Sequence, residues 1–221
     1  MIEYSVIENC YLSLEKHLTF PIIHLNTELI KNRANELGLV FPKSLIDFYH
    51  FFGSYNDLLL SDIAFEKLEN IYISNNTLVV AHSDESIVTY GFKLDSLNDS
   101  NLCISEFSDD KCIHEIRSFG SGAFFVNAVC NNIVFSKPSV VQIKINNKYF
   151  FSKIIDKSNV YSFTDNKSLK KGFFMCGCHD ESNRIIGCYV GDDMDTLFLA
   201  ADNDEILNEF ETKTKWEFDW L

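Results

Sequence analysis

The chain reads as an α+β fold, with a mixed or antiparallel β-sheet, helices packed against it and a β-rich C-terminal part. Three observations predict this. Two helical patterns stand back to back between Leu25 and Gly53. Beyond Gly53 the hydrophobic period shortens to that of strands, with turn residues between the runs. One small, apolar stretch without a breaker, SGAFFVNAVCNN (121–132), interrupts the strands and reads as a buried helix.

In order along the chain, Leu25, Leu29, Ala34 and Leu37 fall near helical spacing, with Asn26 or Thr27 as N-cap candidates. Gly38 follows as the stop, because glycine reaches the left-handed conformation cheaply. Pro42 suits the first turn of a second helix, where its missing N–H has no partner to lose. Leu45, Ile46, Phe48, Tyr49 and Phe52 make one apolar face of that helix, and Gly53 closes it. LVVA (78–81) and SIVTYGF (86–92) flank a polar turn and predict a hairpin, and LCISEF (102–107) a further strand. VVQIKI (140–145) and KYFFSKII (148–155) are joined by Asn146 and Asn147, a pair that tolerates positive φ. GFFMCGC (172–178), RIIGCYV (184–190), TLFLAA (196–201) and KWEFDWL (215–221) read as strands, with a short helix over DEILNEF (204–210). The Pro138 region is the one seam the composition suggests. It lacks a flexible linker, so a single domain over residues 1–221 is expected.

The 221 residues carry a net charge of −13, which argues against nucleic-acid or anionic-membrane binding. The charge is uneven. Residues 192–221 hold ten acids against two lysines, and residues 84–115 hold eight acids against two lysines. A solvated, self-repelling surface is the common meaning of such charge, and a basic protein partner is the sharper one. The turns Asp84–Glu85, Asp109–Asp110 and Asp192, Asp193 and Asp195 are the candidate partner-binding residues. No apolar run reaches the ~18–20 residues of a membrane span. The first residues lack the basic-then-apolar pattern of a secretory signal. Seven cysteines without a pairing framework suggest a reducing compartment, so a soluble cytoplasmic protein is expected.

Cys176, Cys178, His179 and Cys188 are the strongest candidates for chemistry, because thiolates and imidazole bind zinc. Their C-x-C spacing departs from the zinc knuckle, however, and no second pair completes it. Buried cysteine as a small apolar residue is the simpler reading. Cys112 and His114 make a still weaker pair, and GDDMD (191–195) lacks the ligand spacing of a calcium loop. His50 lies among aromatic residues of the second helix, as a packed residue would. The chain contains no G-x-S-x-G, phosphate-loop, G-x-G-x-x-G or H-E-x-x-H motif. The expectation is no catalytic set, no metal and no cofactor.

ELGLVFPKSLIDFYHFFGSYN (36–56) resembles the N-terminal signature of the SUKH superfamily, through Glu36, Leu37, Gly38, Pro42, Leu45, Phe48, Tyr49 and Gly53. NTLVVAHSDESIVTYGFKLDSL (76–97) is similar to that superfamily's central hairpin, through Val79, Val80, Val88, Tyr90 and Gly91. Phe41 stands where the family usually has Leu, and Tyr90 where it has Trp. The resemblance covers about residues 26–135, and residues 140–221 continue it as β-rich sequence. It implies helices packed on a sheet and, in bacteria, an immunity protein that binds and blocks a polymorphic toxin's effector domain, a nuclease among the options. The alternative it implies is a regulatory protein–protein interaction scaffold, as in the fungal members. A third possibility is an enzyme assembled from distant residues through Cys176, Cys178, His179 and Cys188.

Overall fold

The computed structural model describes residues 4–18, 23–55, 63–83, 88–99, 102–108, 111–116, 120–144, 159–162, 174–177, 184–189, 196–215 and 217–221. It is an α+β fold with two antiparallel sheets and a β-rich C-terminal part. The chain divides into two compact units, Met1–Glu8 with Phe20–Ala128, and Asn9–Thr19 with Val129–Leu221. The division falls after Ala128, inside a helix and upstream of Pro138.

In the first unit, helix α2 (Thr27–Glu36) begins where the sequence places it. Asn26 is the N-cap, and its side chain accepts from the Glu28 amide at 2.9 Å, satisfying one of the four orphan donors of the first turn. Gly38 has φ +68, the left-handed stop expected of it. Helix α3 (Lys43–Phe52) differs from expectation at its start and closes at Gly53 as expected. Pro42 is its N-cap in extended conformation rather than its first helical residue, and its carbonyl accepts from the Leu45 and Ile46 amides. Gly53 keeps right-handed angles. Its requirement is space: a Cβ there would lie 2.6 Å from Leu25 Cδ1 and 2.6 Å from the Tyr49 carbonyl oxygen. Helix α2 buries Ile30 and Ala34 and leaves Leu29 of its expected face exposed, whereas Leu45, Phe48, Tyr49 and Phe52 of α3 are essentially fully buried.

The first sheet holds β1 (Ile63–Phe65), β2 (Tyr72–Ser74), β3 (Thr77–Ser83), β4 (Thr89–Lys93), β5 (Ile104–Ser108) and β6 (Lys111–Ile116) in the order β1-β3-β4-β5-β6, every pair antiparallel. Strand β2 shares the β1 edge of β3, pairing Thr77–Val79 while β1 pairs Ala81–Ser83. Asn75 and Asn76, both at positive φ, form the two-residue turn between β2 and β3 that a right-twisted hairpin requires. The expected hairpin of β3 and β4 is present. The expected strand over 102–107 is β5, which starts two residues later, at Ile104, and ends at Ser108.

Helix α4 (Gly120–Ser136) is the buried helix expected from its small and apolar residues. Its N-terminal part belongs to the first unit, where Phe125 stacks on Phe48 at 4.7 Å and Phe65 lies 4.5 Å from Phe48. Ser121 Oγ and Ser44 Oγ share a buried hydrogen bond of 2.7 Å, so two hydroxyls that burial would otherwise penalise satisfy one another.

In the second unit the sheet order is β12-β7-β11-β10-β9-β8, again antiparallel throughout. The strands are β7 (Ser139–Lys144), β8 (Asn159–Ser162), β9 (Phe174–Gly177), β10 (Ile185–Tyr189), β11 (Thr196–Ala201) and β12 (Asp219–Trp220). Of the strand expected over 215–221, two residues pair. The turn expected at Asn146–Asn147 and the strand expected over 148–155 lie outside the described residues. Helix α1 (Tyr4–Glu15), absent from the sequence reading, contributes Cys10, Tyr11 and Leu14 to this unit's core. Helix α5 (Asp204–Thr214) runs one turn beyond the expected span. Asn203 caps it by accepting from the Ile206 amide at 3.1 Å.

Substitution at the two glycines separates the two requirements. Gly53→Ala forces the Tyr49 carbonyl to move and is expected to cost about 1–3 kcal/mol, as overpacking does. Gly38→Asn, where no atom lies within 4 Å of an added Cβ, keeps a residue that tolerates positive φ and is expected to cost only ~0.5 kcal/mol. Urea denaturation of the two variants measures this, and equal losses would contradict the assignment.

Candidate functional site

All seven candidate partner-binding residues, Asp84, Glu85, Asp109, Asp110, Asp192, Asp193 and Asp195, lie outside the described residues. The strands they join are described. Connection 84–87 leaves β3 after Ser83 and enters β4 next to Val88, and this junction is closed by Ser83 N–H donating to the Val88 carbonyl at 2.8 Å. The Val88 amide donates to Ser83 Oγ at 3.1 Å. Asp109 and Asp110 join β5 to β6 between the paired residues Ser108 and Lys111. Because β3, β4, β5 and β6 form a meander, and Thr89 pairs with both His82 and Phe107, these two junctions stand at one end of the first sheet. Asp192, Asp193 and Asp195 join β10 to β11 beyond the pair Tyr189–Leu197 in the second sheet.

Elsewhere in the first unit, Tyr49, Glu66, Tyr72 and His82 are linked by hydrogen bonds, an ion pair and ring stacking. Tyr49 Oη of α3 donates to the Glu66 carbonyl at 2.6 Å, and the Glu66 amide donates to the Val80 carbonyl at 2.9 Å. The Glu66 carboxylate lies 2.8 Å from His82 Nε2, both side chains about four-fifths covered. Tyr72 of β2 stacks on the His82 ring with an interplanar angle of 17° and a centroid distance of 6.2 Å. Burial, and then Glu66 and Glu69, hold the Tyr49 phenol well above the ordinary tyrosine range. The arrangement ties β2 and the residue that follows β1 to β3 through one imidazole. Sixteen residues separate Glu66 from His82, so no local motif announces the pair.

The acidic C-terminal segment resolves into an exposed helical face. Asp204, Glu205, Asn208 and Glu209 of α5 are exposed, and so are Asp202 before it and Glu217 and Asp219 after it. Asp204 and Glu205 sit in the first turn, where the helix dipole favours negative charge. Some of the charge is answered locally. Lys137 Nζ lies 2.6 Å from Asp202 and Arg184 Nη2 lies 3.2 Å from Glu209, while Glu211 Oε1 accepts the Phe218 amide at 3.1 Å. Glu205, Glu217 and Asp219 extend the exposed negative face.

The four-residue cysteine–histidine group is only partly described. Cys178 and His179 lie outside the described residues. Cys188 is fully buried on β10 opposite Met175, and Cys176 pairs with Gly187, one position along. Among the described residues no three His, Cys, Asp or Glu side chains are grouped so as to hold a metal ion. Among them too, no helix is long and apolar enough to cross a membrane. His50 is a packed residue, as its aromatic surroundings suggest: its Nδ1 lies 2.7 Å from the Leu25 carbonyl, and its ring meets His24 and Phe51.

No family model matches the chain, and no curated protein or solved structure matches it.

The Tyr49 hydrogen bond carries a pH signature. Folded Tyr49 stays protonated where the unfolded chain ionises, from about pH 10 upward. The unfolded state therefore releases its proton first, so stability is intact below pH 10 and falls as pH rises beyond it. Tyr49→Phe is expected to cost about 1–3 kcal/mol at pH 7, since the Glu66 carbonyl loses its donor. The variant is also expected to lose less stability than the native chain between pH 9 and pH 11. Parallel curves of midpoint against pH would show that the phenol is not held as described.

Proposed function

We propose that this chain is a non-enzymatic immunity protein that binds and neutralises the effector domain of a polymorphic toxin in the bacterial cytoplasm. The observation that carries the reading is the concentration of negative charge in a few segments of the chain. Residues 192–221 hold ten acids against two lysines, and α5 displays Asp204, Glu205 and Glu209 at the surface. The acidic connections Asp84–Glu85 and Asp109–Asp110 join strands at one end of the first sheet. The resemblance of residues 26–135 to the SUKH superfamily supports the same reading.

The physical mechanism is steering followed by occlusion. A surface carrying several unbalanced carboxylates attracts a basic cleft over a range of about 8 Å at physiological salt, and raises the association rate before any contact forms. Toxin domains that cut nucleic acid need such a cleft, because their substrate is a polyanion. Carboxylates seated there displace the phosphates and close the site without chemistry. Specificity then comes from the uncharged groups between the acids, since charge alone would accept any basic protein.

Co-expression of the chain with the toxin-like domain encoded beside its gene tests the proposal. The expected result is restored growth and a complex that co-purifies at low salt and weakens by about tenfold or more between 50 mM and 500 mM salt. Reversal of Asp84, Glu85, Asp109, Asp110, Asp192, Asp193 and Asp195 to lysine is expected to abolish rescue. Unaltered rescue by that variant would place the interface elsewhere. Unrelieved toxicity with no complex would favour a regulatory scaffold instead.

A further inference from the structure

We propose that the β12 edge of the second sheet anchors the partner, with Trp220 seated in an apolar pocket of a basic protein domain and Glu217 and Asp219 set against its cations. The inference rests on the reading of the chain as a partner-binding immunity protein. Trp220 pairs with Val141, and Val141 pairs with Leu199, so the three side chains share one row and one face of the sheet. Val141 and Leu199 are fully buried. Trp220 carries the same apolar row out to the outermost strand, where it stays 44% exposed. Leu221 beside it is 69% exposed. A partner that covers Trp220 extends the row by one more layer of packing.

The segment that carries Trp220 is held on both sides. Phe218 stacks on Phe210 of α5 with a centroid distance of 6.4 Å and an interplanar angle of 29°, and its amide donates to Glu211 Oε1 at 3.1 Å. The Leu221 amide donates to the Val140 carbonyl at 3.2 Å. The backbone around Trp220 is therefore fixed before a partner arrives, which lowers the ordering cost of association. Tryptophan is among the side chains that most often dominate a protein interface, because its large ring is immobilised at the cost of only two torsions.

Charge selects the occupant. Residues 202–221 hold seven acids against Lys213 and Lys215. Lys137 and Arg184 answer Asp202 and Glu209, while Glu205, Glu217 and Asp219 are exposed and have no ion-pair partner among the described residues. The register adds to this. Along β12 the step from Trp220 to Asp219 leads from Val141 to Gln142, and so toward the Lys144–Thr196 pair. Thr196 is the first residue of β11 after the connection that bears Asp192, Asp193 and Asp195. A basic domain is attracted to this edge, and an acidic protein is repelled from it.

The experiment measures association and dissociation rates of the full chain with the toxin-like domain encoded beside its gene, and maps amide protection in the complex by hydrogen exchange. Trp220→Ala is expected to speed dissociation by about thirtyfold, and Trp220→Phe to recover most of that loss. Glu217→Lys combined with Asp219→Lys is expected to slow association by about tenfold at low salt and much less at high salt, because steering charges act before contact. The amides of 218–221 and of α5 are expected to gain protection. Circular dichroism establishes that each variant is folded, and the lysine variant, altered only at exposed positions, decides the matter if Trp220→Ala does not fold. An unchanged dissociation rate in folded Trp220→Ala, an unchanged association rate in the lysine variant, or protection confined to the first unit would overturn the proposal and leave the immunity reading standing. Absence of any complex with the native chain would overturn both.

Discussion

Phe48 is the residue around which the first unit is arranged. Its ring stacks on Phe125 of α4 and meets Phe65 of β1, and on its own helix it contacts Tyr49 and Phe52. Phe125 in turn reaches Phe92 of β4, so one contiguous aromatic group joins two helices to an edge strand and a central strand. Burying one such ring removes enough apolar surface from water to stabilise by roughly 2–3 kcal/mol, and favourable ring geometry adds to that. The polar groups nearby follow from this packing. Ser44 and Ser121 can pair because α3 and α4 are already in contact, and Tyr49 reaches the Glu66 carbonyl because Phe65 is held against Phe48.

The parts of this fold that were legible in the sequence are those set by neighbours along the chain. Pro42 and Gly53 bracket α3, Asn26 caps α2, and the small apolar residues of α4 need no partner to betray a buried helix. The β3–β4 hairpin was readable because both strands and their turn are contiguous. Helix α1 carries a local signal of its own, since Ile7, Tyr11 and Leu14 recur at helical spacing and are all buried. Strands β1 and β2 are only three residues long, too short for a local period, and β1 pairs with a segment well downstream of it.

The candidate sites divide in the same way. Acidic turns can be found in a sequence because charge and turn residues are both local properties. The Glu66–His82 and Lys93–Glu115 pairs are created by strand register, and the second depends on a single inserted residue, Ile113. A strand shifted by one position would put Lys93 and Glu115 on opposite faces. Gly53 is legible as the stop of α3, and the structure adds a steric requirement for glycine there. Among the described residues, Asp204, Glu205 and Glu209 of α5 are exposed, away from the aromatic interior.

The dependence of the first unit on the Phe48 ring is tested most directly by native-state hydrogen exchange in Phe48→Ala. The predicted result is a loss of about 3–5 kcal/mol of protection shared by α3, the N-terminal part of α4, β1 and β4, because all four lose the same packing partner or its neighbour. A loss confined to α3, with the amides of α4 and β4 protected as before, would contradict it.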